Sequence, residues 1–421
     1  MTGAGYVAFP RIPLRRYIYT ITDGPFGSSL TSSHYSEDGA RVIRLGNIGL
    51  ARFKDADFAY IPMHYFESLR RHEVHPGDLI IAGLGDGNHP VGRACVAPAN
   101  LGPAIVKADC FRVRLDESRL THRYAAWALS SSYVSDQVAT LTRGSTRARI
   151  NLEMARDIRI PVPSVQKQRQ ISQFLDVETS KIDSLLSQKR RLVSLMDERI
   201  DSRILQHVGT SQLVHPTSGS PTLPIRRMLT KVVRPTVANA GVITAYRDGQ
   251  VTERGMRRAE GYTLAASTDP QGQSVRVGDV VVHGLDGFAG AIGTAEAAGN
   301  CSPVYHVCTP VGEGNSHFLS RLLRLLALQG YLGNFATSTR ERAVDFRNWD
   351  LFGRIPLPAV ASAEQHEIGE WITKLRPLRE AVARSEALAD ERRRALITAA
   401  VTGQFDVSTA SGRNITEGVT A

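Results

Sequence analysis

Cysteine is scarce, and its placement excludes two kinds of site. Cys95, Cys110, Cys301 and Cys308 show no Cys-x-x-Cys spacing, so neither a zinc cage nor a redox pair is expected. They read instead as buried thiols of a reducing cytoplasm. Long apolar runs are missing too. No stretch approaches the roughly 18 apolar residues of a membrane span. Met1-Thr2-Gly3-Ala4-Gly5 also lacks the charged and then apolar pattern of a secretory leader. A soluble, cytoplasmic protein with no membrane partner is therefore expected. No Walker loop, zincin pair or Gly-x-Ser-x-Gly elbow is present. Acidic charge is in deficit as well, since 51 Lys+Arg stand against 41 Asp+Glu, a net charge of +10. That balance favours a polyanionic partner over a neutral small molecule.

What the chain does have, it has twice. Gly77-Asp78-Leu79-Ile80-Ile81 returns as Gly278-Asp279-Val280-Val281-Val282, and Val91-Gly92-Arg93-Ala94 as Ile292-Gly293-Thr294-Ala295, both at a shift of 201 (278 − 77 and 293 − 92). Ser145-Thr146-Arg147-Ala148-Arg149 then answers to Ser338-Thr339-Arg340-Glu341-Arg342, and Ile160-Pro161-Val162-Pro163 to Ile355-Pro356-Leu357-Pro358. A long polar helix follows each. Its opening repeats at a shift of 197 (365 − 168), with Gln168, Ile171, Phe174 and Leu175 against Gln365, Ile368, Trp371 and Ile372. A length of 421 residues exceeds what one core usually supports, and the repeat supplies two modules.

Between Ile12 and Arg159 short β-branched runs alternate with Gly, Pro and Asn, which predicts a sheet-rich module interrupted by one helix near Tyr124 to Leu141. Ile225 to Arg354 repeats the plan, with Phe318 to Tyr331 as the matching helix. Ile-Pro-x-Pro closes each module, because X-Pro bonds hold the chain extended. From Gln166 to Val208 neither Pro nor Gly occurs, and Leu175, Ile182, Leu185, Leu192 and Met196 fit a heptad seam, imperfect at Glu178 and Lys189. Ile372, Leu375, Leu378, Val382 and Leu396 draw a similar stripe from Glu364 to Thr402, with a kink expected at Pro377. The partner of each seam is expected to be the other helix; two surface helices, each lying on its own module, are the plain alternative. Phe174 to Asp197 spans 23 steps and Trp371 to Asp390 spans 19, so the helices differ by four residues, about one turn. Helix length thus looks adjustable while facing does not. His215-Pro216-Thr217-Ser218-Gly219-Ser220-Pro221 reads as a linker, and the tail after Val407 as disordered.

Some chemistry only looks present. Gly83-Leu84-Gly85-Asp86-Gly87 follows a strand, yet Asn88-His89-Pro90 and another strand come next, where a dinucleotide loop must open a helix. Ser302-Pro303-Val304-Tyr305 resembles the Pro-Pro-Tyr/Phe loop of amino-methyltransferases, but Val304 replaces the second proline and no cofactor loop accompanies it. His34, His64, His72, His75 and His89 lack ligand spacing. What remains is a binding protein with basic turns. Arg143, Arg147 and Arg149 precede the first long helix, and Arg340 and Arg342 the second. A planar guanidinium suits phosphates and guanine edges. For any one of these residues a solvated charged turn is the plain alternative, which recurrence in two modules weakens. Arg190-Arg191 and Arg392-Arg393-Arg394 lie on helix faces among acids and read as solvent or partner contacts.

At this point the residues resemble a family, the specificity subunits of type I restriction-modification systems, over nearly the whole chain. The resemblance rests on Asp23-Gly24-Pro25-Phe26-Gly27-Ser28-Ser29-Leu30, Arg41-Val42-Ile43-Arg44-Leu45-Gly46-Asn47-Ile48, Gly77-Asp78-Leu79-Ile80 and Ala104-Ile105-Val106 in the first module. In the second it rests on Gly278-Asp279-Val280-Val281 and Cys301-Ser302-Pro303-Val304-Tyr305. The helices add Gln168 to Asp183 and Glu391 to Gly403, with Thr373 departing from the pattern where Asp176 stands. The resemblance implies an α+β fold of two sheet-rich target-recognition domains, 1–160 and 213–357. Each is followed by a long helix, 161–212 and 358–408, with a flexible tail at 409–421. The helices would pair as an antiparallel coiled coil with pseudo-twofold symmetry. It implies no enzyme in this chain, but a DNA-binding subunit that reads a bipartite, asymmetric target in double-stranded DNA. Two methyltransferase subunits would carry S-adenosylmethionine and modify adenine, and restriction subunits would use ATP and Mg. The complex would associate with the nucleoid when on DNA. Candidate DNA contacts under this reading are Arg44, Asn47, Arg93, Lys107, Arg143, Arg147 and Arg149 in the first module, and Arg254, Arg257, Arg340 and Arg342 in the second. No metal site is expected. The rival readings are the recognition half of a fused methyltransferase-nuclease, which fails on absent motifs, and a protein-only adaptor, which would not bind DNA.

Overall fold

The repeated β-branched runs pair at the places where the repeat puts them. In the computed structural model, which describes residues 9–86, 89–141, 148–208, 221–257, 272–335 and 345–407, the chain divides into two units. One comprises 1–187 with 385–421; the other is 188–384. Arg143, Arg147, Arg340 and Arg342, the tail after 407 and most of the 215–221 linker lie outside the described residues.

In the first unit an antiparallel sheet holds Ile18–Thr22, Cys110–Leu115, Leu79–Ala82 and Ala94–Val96, in that spatial order. Leu79, Ile80 and Ile81 form an unbroken apolar run because both faces of their strand are covered. Leu79 and Ile81 join a core with Phe111, Tyr124 and Trp127, whereas Ile80 and Ala82 join another with Ile43, Ile48 and Val106. A smaller sheet sets Ala40–Ile43 beside Tyr60–Ile61 and, in parallel, Ala104–Val106. The expected helix between Tyr124 and Leu141 is in fact two, His122–Leu129 and Ser132–Leu141. Two serines make the break. Ser131 Oγ bonds back to the Ala128 carbonyl, and Ser130 Oγ accepts the Ala51 N–H, the local competition by which serine interrupts helices.

The second unit repeats the sheet order with Leu229–Lys231, Tyr305–Pro310, Val280–His283 and Ile292–Thr294. Ser316–Leu328 is its helix, capped by Asn315, whose side chain accepts the Phe318 N–H; it ends before Gly330 and Tyr331. In both units the Gly-Asp motif is a turn. Gly77 and Gly278 have φ of 88° and 91°, a region that penalises a Cβ. The following carboxylates accept the N–H of His75 and Arg276 at 2.8 and 2.7 Å. Each Ile-Pro-x-Pro stretch is a short strand, Arg159–Pro161 against Arg11–Pro13 and Pro356–Pro358 against Thr222–Pro224.

The long helices run over Val165–Val208 and Ser362–Thr402. Within the first unit the start of one lies against the end of the other: Lys167 pairs with Asp406, the Phe174 and Phe405 rings meet edge-on at 5.6 Å, and Asp183 pairs with Arg393. Within the second unit Arg203 pairs with Glu367 at 2.8 Å and Asp197 with Arg379. The direction is antiparallel in each. Each helix end also enters a module core, Leu396, Ile397, Ala400 and Val401 in the first unit and Ile200, Ile204 and Val208 in the second, so neither is a surface helix of one module alone. The heptad expectation needs correction. Leu185 and Leu192 are 58% and 48% exposed. The covered positions are Leu175, Thr179, Ile182, Leu186, Val193, Met196 and Ile200. Leu175, Ile182 and Met196 are thus on the seam as expected, while the positions between them are Leu186 and Val193, one residue beyond Leu185 and Leu192. The helix assignment also continues through Pro377, which is exposed together with Thr373, four residues earlier, so that water can satisfy the carbonyl it leaves unbonded. No described helix is long and apolar enough to cross a membrane.

Candidate nucleic-acid interface

Each four-stranded sheet has two ends with different duties. At one end the long helix is fastened. In the first unit Gln168, fully buried, accepts the Thr121 N–H at 2.9 Å and donates to the carbonyls of Arg119 and Pro163. In the second, Gln365 accepts the Asn315 N–H at 3.1 Å and donates to the Val360 carbonyl. Both glutamines thus tie the first turn of a long helix to the N-terminal cap of the module helix.

The opposite end is a rim of loops. In the first unit it gathers Asp23 to Ser29, the glycine-rich stretch from Gly83, Lys107 to Asp109, and Ala148 to Ile150. Gly83 donates to the Asp109 carbonyl at 2.7 Å and its own carbonyl accepts Ile150 N–H at 2.9 Å. A Cβ on Gly83 would sit 2.5 Å from the Phe111 ring, so close packing, not phosphate binding, explains that glycine. In the second unit Gly284 does the same, donating to the Val304 carbonyl at 3.0 Å and accepting Phe346 N–H at 2.7 Å. Arg149, next to Ile150, and Arg347, next to Phe346, therefore stand beside the two rims.

Asp23 organises the first rim. Its Oδ1 accepts the N–H of Gly24 at 2.7 Å and of Asp109 at 2.9 Å. Burial pushes its carboxyl up to about 6, against the lowering effect of those two bonds. Behind it His72 bonds the Asp23 carbonyl, and burial lowers the His72 pKa. Gly24 lies against the Lys107 carbonyl with no room for a side chain. Phe26, half exposed, stands 5.9 Å from the Arg149 guanidinium.

The candidate residues divide into three groups. Arg44, Lys107 and Arg149 reach the first rim: Arg44 pairs with Asp57, the Lys107 ammonium lies 5.7 Å from the Tyr35 ring, and Arg149 pairs with Asp109 at 2.8 Å. In the second unit Arg257 pairs with Asp248 and covers the Tyr246 ring, while Arg254 Nε reaches Thr244 Oγ1 at 3.4 Å. Asn47 and Arg93 need correction, since both are buried in the framework. Asn47 accepts the Arg44 N–H and donates to the carbonyls of Lys54 and Ala56. Arg93 donates to those of Ile48, Pro90 and Leu45. Burial lowers the Arg93 pKa, yet its donors are occupied by the fold. The sequence reading missed Arg41, which lies over Phe58 and pairs with Asp55, and Arg247 and Arg347 on the second rim, paired with Asp286 and Asp345. Asp345-Phe346-Arg347 was visible as a short-range pair; the others need the fold. All four cysteines are buried, and burial pushes the thiols of Cys95, Cys301 and Cys308 up to about 12. Among the described residues no three His, Cys, Asp or Glu side chains form a metal set.

The chain thus holds two sheet-and-helix units of one plan, each with arginine-bearing loops opposite its helix anchor. Residues 70–192 match the family model of the type I restriction modification DNA specificity domain. The specificity subunit of the type I restriction enzyme StySPI of Salmonella potsdam is 24% identical over 194 residues, 46% of this chain and 39% of that protein. The MjaVIII specificity subunit of Methanocaldococcus jannaschii is 21% identical over 175 residues, 41% of this chain and 39% of that one. The matched segments thus span about two fifths of those relatives. Among solved structures, a chain from a type I restriction-modification assembly shares the fold, with a TM-score of 0.52 and 15% identity over 94% of this chain and 98% of that one. The HsdS subunit of Thermoanaerobacter tengcongensis aligns over 96% of this chain and 100% of its own at 13% identity and a TM-score of 0.42. Over these segments the chain is similar to type I specificity subunits.

Proposed function

We propose that the chain is the sequence-reading subunit of a type I restriction-modification system. It binds double-stranded DNA through the two rims, and each unit reads its own short half-site. The target is bipartite and asymmetric, because outside the shared framework the rims differ in sequence. The chain performs no chemistry. Two methyltransferase subunits holding S-adenosylmethionine modify adenine, and restriction subunits use ATP and Mg for cleavage. The observation that carries this reading is the repeated rim, where a glycine links the same three loops in both units and arginines gather beside them. Fixed framework with variable loops is the physical requirement for reading two sequences with one architecture. The test is methylome sequencing of a host that expresses this chain with its neighbouring methyltransferase. The expected result is one methylated motif with two dissimilar halves around an unread spacer. A host without any new methylated motif, or methyl transfer by the purified chain alone, would overturn the reading.

A further inference from the structure

The rim arginines carry their own counter-charges. Arg44 is held by Asp57 and Arg149 by Asp109, while on the second rim Arg347 is held by Asp345 and Arg247 by Asp286. Exposed ion pairs contribute little to stability, so folding gives no strong reason for so regular a pairing. The backbone adds a second observation. Asp57 and Asp109 have φ of 57° and 64°, and they are two of only four non-glycine residues with positive φ among the described ones. In this conformation a side chain is tolerated mainly when it is Asp or Asn. Asp109 is fixed further, because its N–H donates to Asp23 Oδ1. Each carboxylate is therefore presented from a set backbone position to one arginine.

A guanidinium already neutralised by a carboxylate gains less from a phosphate and releases fewer counterions from DNA, and counterion release supplies most of the affinity for random sequence. Arg149 and Asp57 remain 56% and 44% exposed in their side chains, so water and phosphate can reach both pairs. We propose that Asp57 and Asp109 are internal stand-ins for DNA phosphate that suppress binding to random sequence: they keep Arg44 and Arg149 neutralised on random DNA and yield them only where the matched half-site brings phosphate or base edges into place. This rests on the DNA-reading function proposed above. It is a repulsive element of the kind that discrimination requires beside attractive contacts.

The test uses Asp57→Asn, Asp109→Asn and their combination in the complex assembled with the methyltransferase subunits. Asn keeps the shape and the left-handed backbone while removing the charge. Dissociation constants for a random-sequence duplex are measured between about 50 and 200 mM salt, the interval over which phosphate contacts are resolved. Each single variant should steepen the log–log salt slope by up to about 0.9, and the double variant by about 1.8, making its affinity loss over that fourfold salt change about tenfold larger than the parent's. The methylated motif should stay the same. Adding Arg44→Gln and Arg149→Gln to the double variant should return the parental slope. An unchanged slope in the single and double variants, a slope gain that survives removal of both arginines, or an altered motif would each overturn the inference. A parent complex that binds no duplex at all would instead sink the DNA-reading function, so the two failures are distinguishable.

Discussion

The two units place the same carboxylate in the same turn and neutralise it from different directions. Asp78 meets Arg114, which comes from the adjacent strand Cys110–Leu115, whereas Asp279 meets Arg234, which follows Leu229–Lys231. The helix contacts diverge likewise. Arg123 and Trp127 of the first unit bond Asp176 on the long helix that begins there, while Arg321 of the second bonds Asp197 and Asp201 on the long helix that ends there. The glutamine fasteners, in contrast, are kept in place. Positions that terminate backbone hydrogen bonds are fixed by geometry, because the groups they satisfy do not move. Positions that supply a counter-charge can be filled from any neighbouring element within reach.

That comparison makes its largest prediction at the turns. Asp279→Ala removes the partner of Arg234, whose side chain is only 18% exposed, and leaves the Arg276 N–H without its acceptor. Removing one member of such a pair is expected to cost about 3 kcal/mol. Asp78→Ala should cost less, nearer about 2 kcal/mol, since Arg114 is 35% exposed and can turn to water. Urea unfolding of the two variants checks the order, and a larger loss for Asp78→Ala would break the argument that burial of the cation decides it.

Next come the fasteners. Gln168→Ala strands one N–H and two carbonyls, Gln365→Ala one N–H and one carbonyl. Losses of about 2 and 1 kcal/mol are expected, from the cost of unsatisfied buried groups. Equal losses in thermal unfolding would mean that the second carbonyl bond of Gln168 carries nothing.

The framework was legible in the sequence wherever a residue acts on its immediate chain neighbours. Gly77 and Gly278 announce turns because their φ excludes a side chain, and the Ile-Pro-x-Pro stretches announce extended chain. Gln168 and Gln365 were visible only as a repeat, since the caps they fasten lie about 50 residues away. The counter-charges were illegible because Arg234 and Asp279, or Arg149 and Asp109, lie about 40 residues or more apart and only the fold joins them. Arg93 reads as a basic loop residue, yet the carbonyls of Ile48, Leu45 and Pro90 converge on it from separate loops. The seam was misread for a different reason. Leu185 and Leu186, like Leu192 and Val193, are adjacent apolar residues, so the sequence leaves open which of each pair turns inward, and packing selects Leu186 and Val193.

A smaller effect is expected at Asp176. Its pair with Arg123 is partly open to solvent on both sides, though Trp127 Nε1 also donates to it at 3.0 Å. Asp176→Ala should cost about 1 kcal/mol, at the upper end for an accessible pair. Asp201→Ala should cost more, because Arg321 is the better buried cation, 11% exposed. Thermal unfolding of the two variants side by side gives the order.

The smallest effect is a difference in pH response, for the first rim carries Asp23 where no described carboxylate plays the same part on the second. Burial raises this carboxyl to about 6, whereas an unfolded aspartate titrates near 4. Between those values the folded state holds a proton that the unfolded state has lost, so the contribution of Asp23 to stability is greatest below about pH 4 and falls as pH rises through 6. Above pH 6 the fold carries a half-buried charge. Asp23→Asn removes that charge and keeps an oxygen to accept the N–H of Gly24 and Asp109. The variant should therefore melt about 1 to 2 °C higher than the parent at pH 8, a shift equivalent to a fraction of a kcal/mol in a unit of this length. The gain should vanish at pH 4, where the parental carboxyl is protonated. Equal melting temperatures at pH 8, or a gain that persists at pH 4, would place the cost of this position in its shape and not in its charge.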